Sequence, residues 1–191
     1  MRPYYIPVLV LALLCGCSSV TYISPDNVTL FDDKFSDTDV KIMADTMAVS
    51  LISSPNIAQS TAPPRMALLR IRNFTSEHIN TDGIADKLRI ALLKTGKVRF
   101  VDRENIDKVV EELQFGESGY VDPAKMKQIG KLAGTDYFLS GSLESIEKQK
   151  STKSMTWYRC SLKLTNVETG EIVWGEESEL KKMFGKNIMD W

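Results

Sequence analysis

The sequence has few of the residues on which catalytic and metal sites are usually built. Among 191 residues there are three cysteines and a single histidine, His78. The charges are balanced, with 24 basic against 25 acidic side chains and a formal net charge of −1. The chain has no excess of basic residues that would suggest nucleic-acid binding. It also has no apolar run as long as the ~20 residues of a membrane-spanning helix. These shortages argue against a nucleic-acid-binding protein and against a membrane-spanning one.

Cysteine usage limits how the fold can be stabilised. Cys15 and Cys17 lie near the N-terminus and Cys160 stands alone in the rest of the chain, so an exported form has no intramolecular disulfide available. The residues that alternate with Cys160 are apolar: Tyr158, Leu162 and Leu164. This pattern favours a small buried side chain over a reactive thiol. Stability must come from packing, for which a hydrophobic content of 43% is sufficient.

Motifs that would carry catalysis are missing. The segment Gly116-Glu117-Ser118-Gly119 is one residue short of a nucleophile elbow and lies between two predicted helices rather than after a strand. The segment Lys94-Thr95-Gly96-Lys97 lacks the upstream glycine of a phosphate loop. His78 lies in a polar loop and has no partner at metal-ligand spacing. We predict that the protein is not an enzyme and has no catalytic residue, metal or cofactor.

The N-terminus has the layout of an exported lipoprotein. Arg2 precedes an apolar stretch that is too short to span a membrane, which is a secretory signal pattern. The closing segment Leu14-Cys15-Gly16-Cys17 resembles the lipobox of bacterial lipoproteins, in which the thiol of the last cysteine receives diacylglycerol and becomes the mature N-terminus. A transmembrane helix and an ordinary signal peptide with a chance cysteine are the alternatives. We predict Cys17 as the lipid attachment site because the small Gly16 precedes it, whereas Leu14 precedes Cys15.

These features divide the chain into four parts. We predict a signal peptide (1–16), an acylated N-terminus with a polar tether (17–37), one globular domain (38–180) and a loose or helical C-terminal tail (181–191). The tether is rich in Ser, Thr, Asp and Asn and has little periodicity. Twenty residues reach no more than ~70 Å when fully stretched, so the domain stays near its membrane.

Hydrophobic periodicity predicts the elements of the domain. Apolar residues at helical spacing favour four helices, which begin near Asp39, Asp82, Glu104 and Pro123. Alternation favours strands at 66–72, 98–101, 137–145 and 157–167, with a closing strand that starts at Ile172. Three consecutive strands with short connections predict a C-terminal antiparallel meander. The fold class is α/β or, if the meander dominates, α+β: a mixed sheet of about four to five strands with about four helices packed on it.

Some details depend on strict periodicity and on turn chemistry. Ala67, Leu69 and Ile71 are predicted to share one face of the first strand. The charged run from Glu147 to Lys153 is predicted as a loop, and Gly96 is placed where a helix end needs a left-handed residue. The predicted inner stripe of the last helix contains Met126, Ile129, Leu132 and Ala133.

Basic and aromatic residues share strand faces in two places. Arg70 and Arg72 lie on one face of the first strand, and Arg159 and Lys163 lie with Trp157 on one face of a later strand. Arginine beside an aromatic ring is typical of the centre of a protein–protein interface. It is equally typical of the back of a sheet covered by a helix, with the charged ends reaching outward. The residues alone leave both interpretations open.

Five segments occur in an order that suggests a family: Leu68–Thr75, Asp82–Thr95, Gly96–Val101, Ile129–Tyr137 and Leu164–Trp174. Together they resemble the LpoB type of outer-membrane lipoprotein, whose members activate bifunctional penicillin-binding proteins. The likeness covers about residues 38 to 178. Single segments, such as the hairpin at Thr169–Trp174, are similar to pieces of the N-terminal domain of TolB and of the curli-secretion lipoprotein CsgG.

The resemblance implies a non-enzymatic regulator that is lipid-anchored on the periplasmic face of the outer membrane. Its domain would dock on a periplasmic domain of a bifunctional penicillin-binding protein and stimulate peptidoglycan synthesis. Ser18, which follows the anchor, resembles the pattern sorted to the outer membrane. The alternative is a structural subunit of an envelope or secretion assembly, similar to the curli-secretion lipoprotein.

Docking residues are expected at two polar breaks in the chain, because loops near helix ends expose side chains that bind partners. These breaks are the loop 73–80 and the segment 115–121, each of which carries an aromatic residue. The candidate partner-binding residues are Phe74, Glu77, His78 and Tyr120.

Overall fold

A computed structural model describes residues 21–24, 26–28, 32–102 and 123–185. The helices in these ranges are α1 (Asp37–Ser53), α2 (Pro55–Ala58), α3 (Asp82–Lys94) and α4 (Pro123–Ala133). The strands are β1 (Arg65–Phe74), β2 (Arg99–Phe100), β3 (Tyr137–Lys150), β4 (Lys153–Asn166) and β5 (Ile172–Gly185). The predicted signal peptide, Cys17, the helix expected from Glu104 and Tyr120 lie outside the described residues.

The five strands form one mixed sheet in the order β2-β1-β3-β4-β5. Strand β1 is parallel to β2 and β3, and β3, β4 and β5 form an antiparallel meander. This architecture confirms the α+β fold class and the mixed sheet. The glycine expected at the end of α3, Gly96, has the left-handed backbone angle φ +68°.

The charged run after β3 differs from the prediction. Residues 147–150 are not a loop but continue β3, which pairs with β4 in unbroken register from Tyr137↔Asn166 to Lys150↔Lys153. The turn consists only of Ser151 and Thr152. Backbone pairing holds this end of the hairpin together, and the side chains of residues 147–150 are all exposed. Periodicity missed the extension because it has no apolar face.

The main core lies between one face of the sheet, called here the covered face, and helices α1 and α3. Met43, Met47 and Leu51 of α1 are fully buried, so the methionines of this helix fill the core. Helix α3 contributes Ile84, Leu88 and Leu92, and the strands contribute Met66, Leu68, Ile71, Leu139, Leu143, Tyr158, Cys160, Leu162 and Leu164. Cys160 is fully buried, as predicted, and burial raises the pKa of its thiol to about 12.

A second, smaller core lies on the opposite face, where α4 packs on one end of the sheet. It contains Ala67, Ile129, Phe138 and Val167. Gly130 brings α4 so close to β4 that a Cβ atom at this position would lie 2.1 Å from a methyl carbon of Val167. The rest of this face, beyond α4, is called here the open face.

Strict periodicity failed at two positions. A β-bulge between Leu68 and Ile71 shifts the register of β1 against β3. Ile71 therefore joins the main core instead of sharing the face of Ala67 and Leu69, because one extra residue reverses the alternation. In α4, Leu132 is exposed rather than buried, since the part of the sheet under this helix is too small to cover the whole predicted stripe.

The predicted tether ends earlier than expected. Residues 32–36, called here the strap, pack across the covered face. Asp33 is buried and accepts a hydrogen bond from the Thr156 hydroxyl at 2.9 Å. The ring of Phe35 meets Tyr158 edge to face, with centroids 5.3 Å apart. The strap then leads into α1, where the Ser36 N–H donates to Asp39 at 2.8 Å. Its polar sequence hid these contacts, because they are made with strands that lie more than a hundred residues away.

The predicted C-terminal tail also begins later, since residues 181–185 belong to β5. Lys182 lies on the covered face, and its Nζ is 3.0 Å from a carboxylate oxygen of Asp39. The two side chains are only 10% and 5% exposed. The Lys182 ammonium also donates to the carbonyl oxygen of Lys34. One buried ion pair thus joins β5, the start of α1 and the strap.

Candidate partner-binding face

The candidate site of this protein lies on a surface rather than in a cavity. Among the described residues, no three His, Cys, Asp or Glu side chains are grouped as metal ligands. A shallow depression of about 350 Å³ lies between the end of α4 and the β4–β5 turn, and Arg65, Lys131, Asp136 and Glu168 are among its lining residues. It is open to solvent. The more informative surface is the open face of the sheet.

Arg159 is the centre of a group of polar and aromatic side chains on the open face. Its Nη2 donates to Glu144 of the neighbouring strand β3 at 2.7 Å. On the other side, its Nη1 lies 3.8 Å from Glu177 of β5. The guanidinium carbon lies 5.4 Å from the ring centroid of Trp157, two residues earlier in β4. Cross-strand neighbours therefore hold one arginine between two carboxylates and above an indole ring.

Phe74 extends this group onto β1. Its Cα lies opposite that of Glu144 in the parallel β1–β3 register. The side chain is 57% exposed, and the guanidinium carbon of Arg72 lies 5.1 Å from its ring centroid. The open-face cluster is defined here as Arg72, Phe74, Glu144, Trp157, Arg159 and Glu177. It combines two arginine–aromatic contacts with exposed carboxylates, the chemistry typical of interface centres.

Within the described residues, this arrangement favours the interface interpretation of the arginine and aromatic side chains. Trp157 and Arg159 are not covered by a described helix, and each remains partly accessible. Sequence reasoning found both residues and Phe74, but it missed Glu144 and Glu177. Only the register between β3, β4 and β5 shows that these acids lie beside Arg159. The signal that could have found them is the in-register pairing of two long strands across a two-residue turn.

The four predicted partner-binding residues have different environments. Phe74 lies in the open-face cluster, and His78 is exposed in the loop. Glu77 is turned inward, where it accepts a hydrogen bond from the Tyr158 hydroxyl and one from the Phe35 N–H at 3.4 Å. Burial and this carboxylate raise the pKa of Tyr158 well above its usual range. Glu77 therefore fastens the loop to the strap, while Tyr120 lies outside the described residues.

The fold and the open face together define a small α+β domain with an exposed arginine–aromatic surface. The particular family follows from comparison with known proteins. The family profile described as peptidoglycan-synthase activator LpoB matches residues 39–180, and this chain belongs to the LpoB family. The match confirms the resemblance seen in the sequence and covers both cores.

Solved structures agree with this assignment at the level of the fold. The LpoB C-terminal domain from Salmonella enterica is 19% identical, with a TM-score of 0.57 over 74% of this chain and 98% of that one. The corresponding domain from Escherichia coli is 20% identical, with a TM-score of 0.56 and the same coverage. Lipoprotein GNA1162 from Neisseria meningitidis is 14% identical, with a TM-score of 0.51 over 66% and 88% of the two chains. A search of curated proteins found no match.

The helices were also compared with the requirements of a membrane span. Among the described residues, none of them is long and apolar enough to cross a bilayer.

Proposed function

We propose that this protein is an outer-membrane lipoprotein that binds a bifunctional penicillin-binding protein and stimulates its peptidoglycan synthesis. The observation that carries this proposal is the family match over residues 39–180, which spans nearly the whole folded unit. The protein acts without catalytic residues of its own in this proposal. It changes the synthase by binding to one of its periplasmic domains.

The open-face cluster is the proposed docking surface. Phe74 supplies an exposed aromatic side chain, and Arg72 and Arg159 supply planar cations that are already oriented by aromatic rings. Prior orientation lowers the entropic cost of binding, because the side chains are ordered before the partner arrives. Exposed Glu177 and half-exposed Glu144 add acceptors at the rim. His78 and Tyr120 remain candidate partner-binding residues.

The proposed anchor is the thiol of Cys17, acylated after removal of residues 1–16. Incorporation of labelled palmitate in cells tests this directly. We expect Cys17→Ala to abolish labelling and Cys15→Ala to leave it unchanged. Labelling that survives in the Cys17→Ala variant would assign the anchor elsewhere.

Stimulation of a purified bifunctional penicillin-binding protein tests the activity. With the chain from Ser18 onward, we expect faster glycan polymerisation and crosslinking. Phe74→Ala and Arg159→Ala should each weaken binding at least about tenfold, as for central interface residues. Matched controls are Leu132→Ala, an exposed apolar residue on α4, and Arg89→Ala, whose ion pair with Asp86 lies on α3.

Two results would argue against the proposal. The first is full stimulation by both cluster variants, which would move the docking surface elsewhere. The second is no stimulation by the unmodified chain together with a stable ring in sedimentation, which would favour the structural-subunit alternative.

A further inference from the structure

A group of lysines occupies the open face at the end of the three long strands. The register between β3, β4 and β5 places nine positions there in three rows: Ile146, Trp157 and Lys181; Lys148, Met155 and Met183; Lys150, Lys153 and Gly185. We call the lysines Lys148, Lys150, Lys153 and Lys181, together with Ile146 and Met183, the basic patch. None of the nine positions is acidic.

The lysines of the basic patch are free to bind something else. All four are exposed, and within the described ranges none of them forms an ion pair. The acidic residue of this strand end, Glu147, lies on the opposite face, where it contacts Ser76 and Lys34. The next row toward the middle of the sheet contains the Glu144–Arg159 pair and Glu179, which accepts a hydrogen bond from the Trp157 indole N–H at 3.4 Å. The open face therefore changes from an internally paired cluster to an unpaired cationic surface within one row of residues.

Apolar side chains stand among these lysines. Met183 is 71% exposed and Ile146 is 51% exposed. With strands ~4.8 Å apart and ~3.3 Å per residue, the rows form a flat area of roughly 10 by 13 Å. A flat surface of lysines around protruding apolar side chains suits the interface of an anionic bilayer, where phosphates bind the ammonium groups and the acyl boundary accepts the apolar atoms.

The route of the chain favours a membrane over an acidic protein as the occupant. The strap reaches the sheet at the same strand end, since Asp33 binds Thr156, which lies between Met155 and Trp157 in β4. Only residues 18–31 separate the proposed anchor at Cys17 from Asp32. Fourteen residues span at most about 50 Å. The anchor thus keeps this end of the sheet close to the bilayer.

We propose that the basic patch binds the anionic phospholipid surface of the membrane in which the protein is anchored. This inference rests on the anchoring part of the proposed function. Contact at this end leaves the other end of the strands, where α4 and the β4–β5 turn lie, farther from the bilayer. The strap links the domain to the anchor along the covered face, on the side of the sheet opposite the basic patch.

Vesicle binding by the chain from Ser18 onward tests the proposal without the lipid anchor. Every residue of both cores lies after residue 32, so this chain keeps the whole folded unit. The probes are vesicles of phosphatidylethanolamine with phosphatidylglycerol, and vesicles of phosphatidylcholine alone, in a co-sedimentation assay. We expect binding to the first and not to the second, and weakening as salt is raised toward about 0.15 M because exposed charges are screened.

Substitution of the four lysines by glutamine, at positions 148, 150, 153 and 181, should weaken this binding by at least about tenfold, since each lysine near an anionic surface strengthens attachment roughly fivefold. The matched control replaces four exposed lysines elsewhere, Lys87, Lys94, Lys97 and Lys131, and has the same net charge. We expect it to bind within about twofold of the unmodified chain. Met183→Ser should weaken binding without changing its salt dependence.

Several results would overturn the inference. One is a loss of vesicle binding in the control variant as large as that in the four-lysine variant, and another is equal binding to both kinds of vesicle. A third is no binding of the unmodified chain to anionic vesicles, which would leave an acidic protein as the occupant. Stimulation of the synthase in detergent, where no bilayer is present, is expected to be unchanged in the four-lysine variant. A failure of membrane binding and a failure of synthase activation are therefore measured separately.

Discussion

Lys181 and Lys182 are neighbours in β5 but belong to two different regions, the open face and the covered face of the sheet. Lys182 is buried beside Asp39 and ties β5 to α1 and to the strap. Lys181 is exposed and, within the described residues, has no ion-pair partner. A lysine side chain is therefore structural on one face of the sheet and available to a partner on the other. Which role a charge takes is decided here by what covers it, because water competes for an exposed ion and not for a buried one.

Distance alone does not separate the two regions. The Arg159–Glu144 contact on the open face is 2.7 Å, shorter than the 3.0 Å contact between Lys182 and Asp39. The open-face side chains are 33% and 37% exposed, whereas those of the buried pair are 10% and 5% exposed. If burial governs the energetics, substitutions on the covered face should cost stability and those on the open face should cost binding.

The largest expected effect is that of Lys182→Ala. It leaves the Asp39 carboxylate buried without its cation, which costs about 3–5 kcal/mol of the free energy of unfolding. Lys181→Ala is the adjacent control and should change that free energy by no more than about 0.5 kcal/mol. Urea denaturation of both variants measures the difference. Equal losses at the two positions would mean that the faces do not differ in the way proposed.

A second pair of variants tests the smaller core, where α4 packs on the side of the sheet opposite the covered face. Gly130→Ala places a Cβ atom against Val167, and we expect a loss of about 1–3 kcal/mol in the free energy of unfolding from overpacking. Gly83 lies in α3 with open space around its Cα. Gly83→Ala should therefore stabilise the fold by about 0.5–1 kcal/mol through helix propensity. Thermal unfolding distinguishes the two signs, and a neutral Gly130→Ala would show that α4 can move away from β4.

A third prediction concerns the strap on the covered face and its dependence on pH. Burial alone would raise the pKa of the Asp33 carboxyl, but hydrogen bonds from the hydroxyls of Thr156 and Ser154 outweigh it, and the pKa lies below its usual value. A carboxyl whose pKa is lowered by folding stabilises the protein above its unfolded pKa of ~3.9 and loses that contribution as pH falls through the folded pKa.

Asp33→Asn should accordingly cost about 1 kcal/mol of the free energy of unfolding at neutral pH. The gap between this variant and the unmodified protein should shrink as the pH is lowered below about 4. Unfolding curves recorded across this range measure the gap. Asp32→Asn, at an exposed position one residue earlier, is the control and should show no such convergence.

The smallest expected effect on stability is that of Arg159→Ala. Part-exposed ion pairs contribute about 0–1 kcal/mol, so unfolding should change little even though we expect the variant to bind the proposed synthase partner more weakly. Circular dichroism and urea denaturation provide the measurement. A loss as large as that of Lys182→Ala would make Arg159 a structural residue and remove it from the proposed docking surface.

Much of the candidate site could be read from local patterns. Alternation around Cys160 placed Trp157 and Arg159 on one face of a strand. Phe74 was correctly expected to be exposed, although it ends β1 and does not lie in the predicted loop. The sequence did not indicate that Glu77 turns inward to Tyr158, because its partner lies 81 positions away. It also did not place Glu144 and Glu177 beside Arg159, because cross-strand neighbours depend on register rather than on spacing along the chain.

The sequence by itself determined the elements with strong periodicity: the buried stripe of α1, the inner residues of α3, the left-handed Gly96 and the burial of Cys160. These follow from local geometry and from the removal of apolar surface from water. Only the tertiary structure decided which of two adjacent lysines is buried, where the strap docks, and that four lysines share one surface. Those outcomes depend on which distant strands pair and which face a helix covers, and no short segment of sequence contains that information.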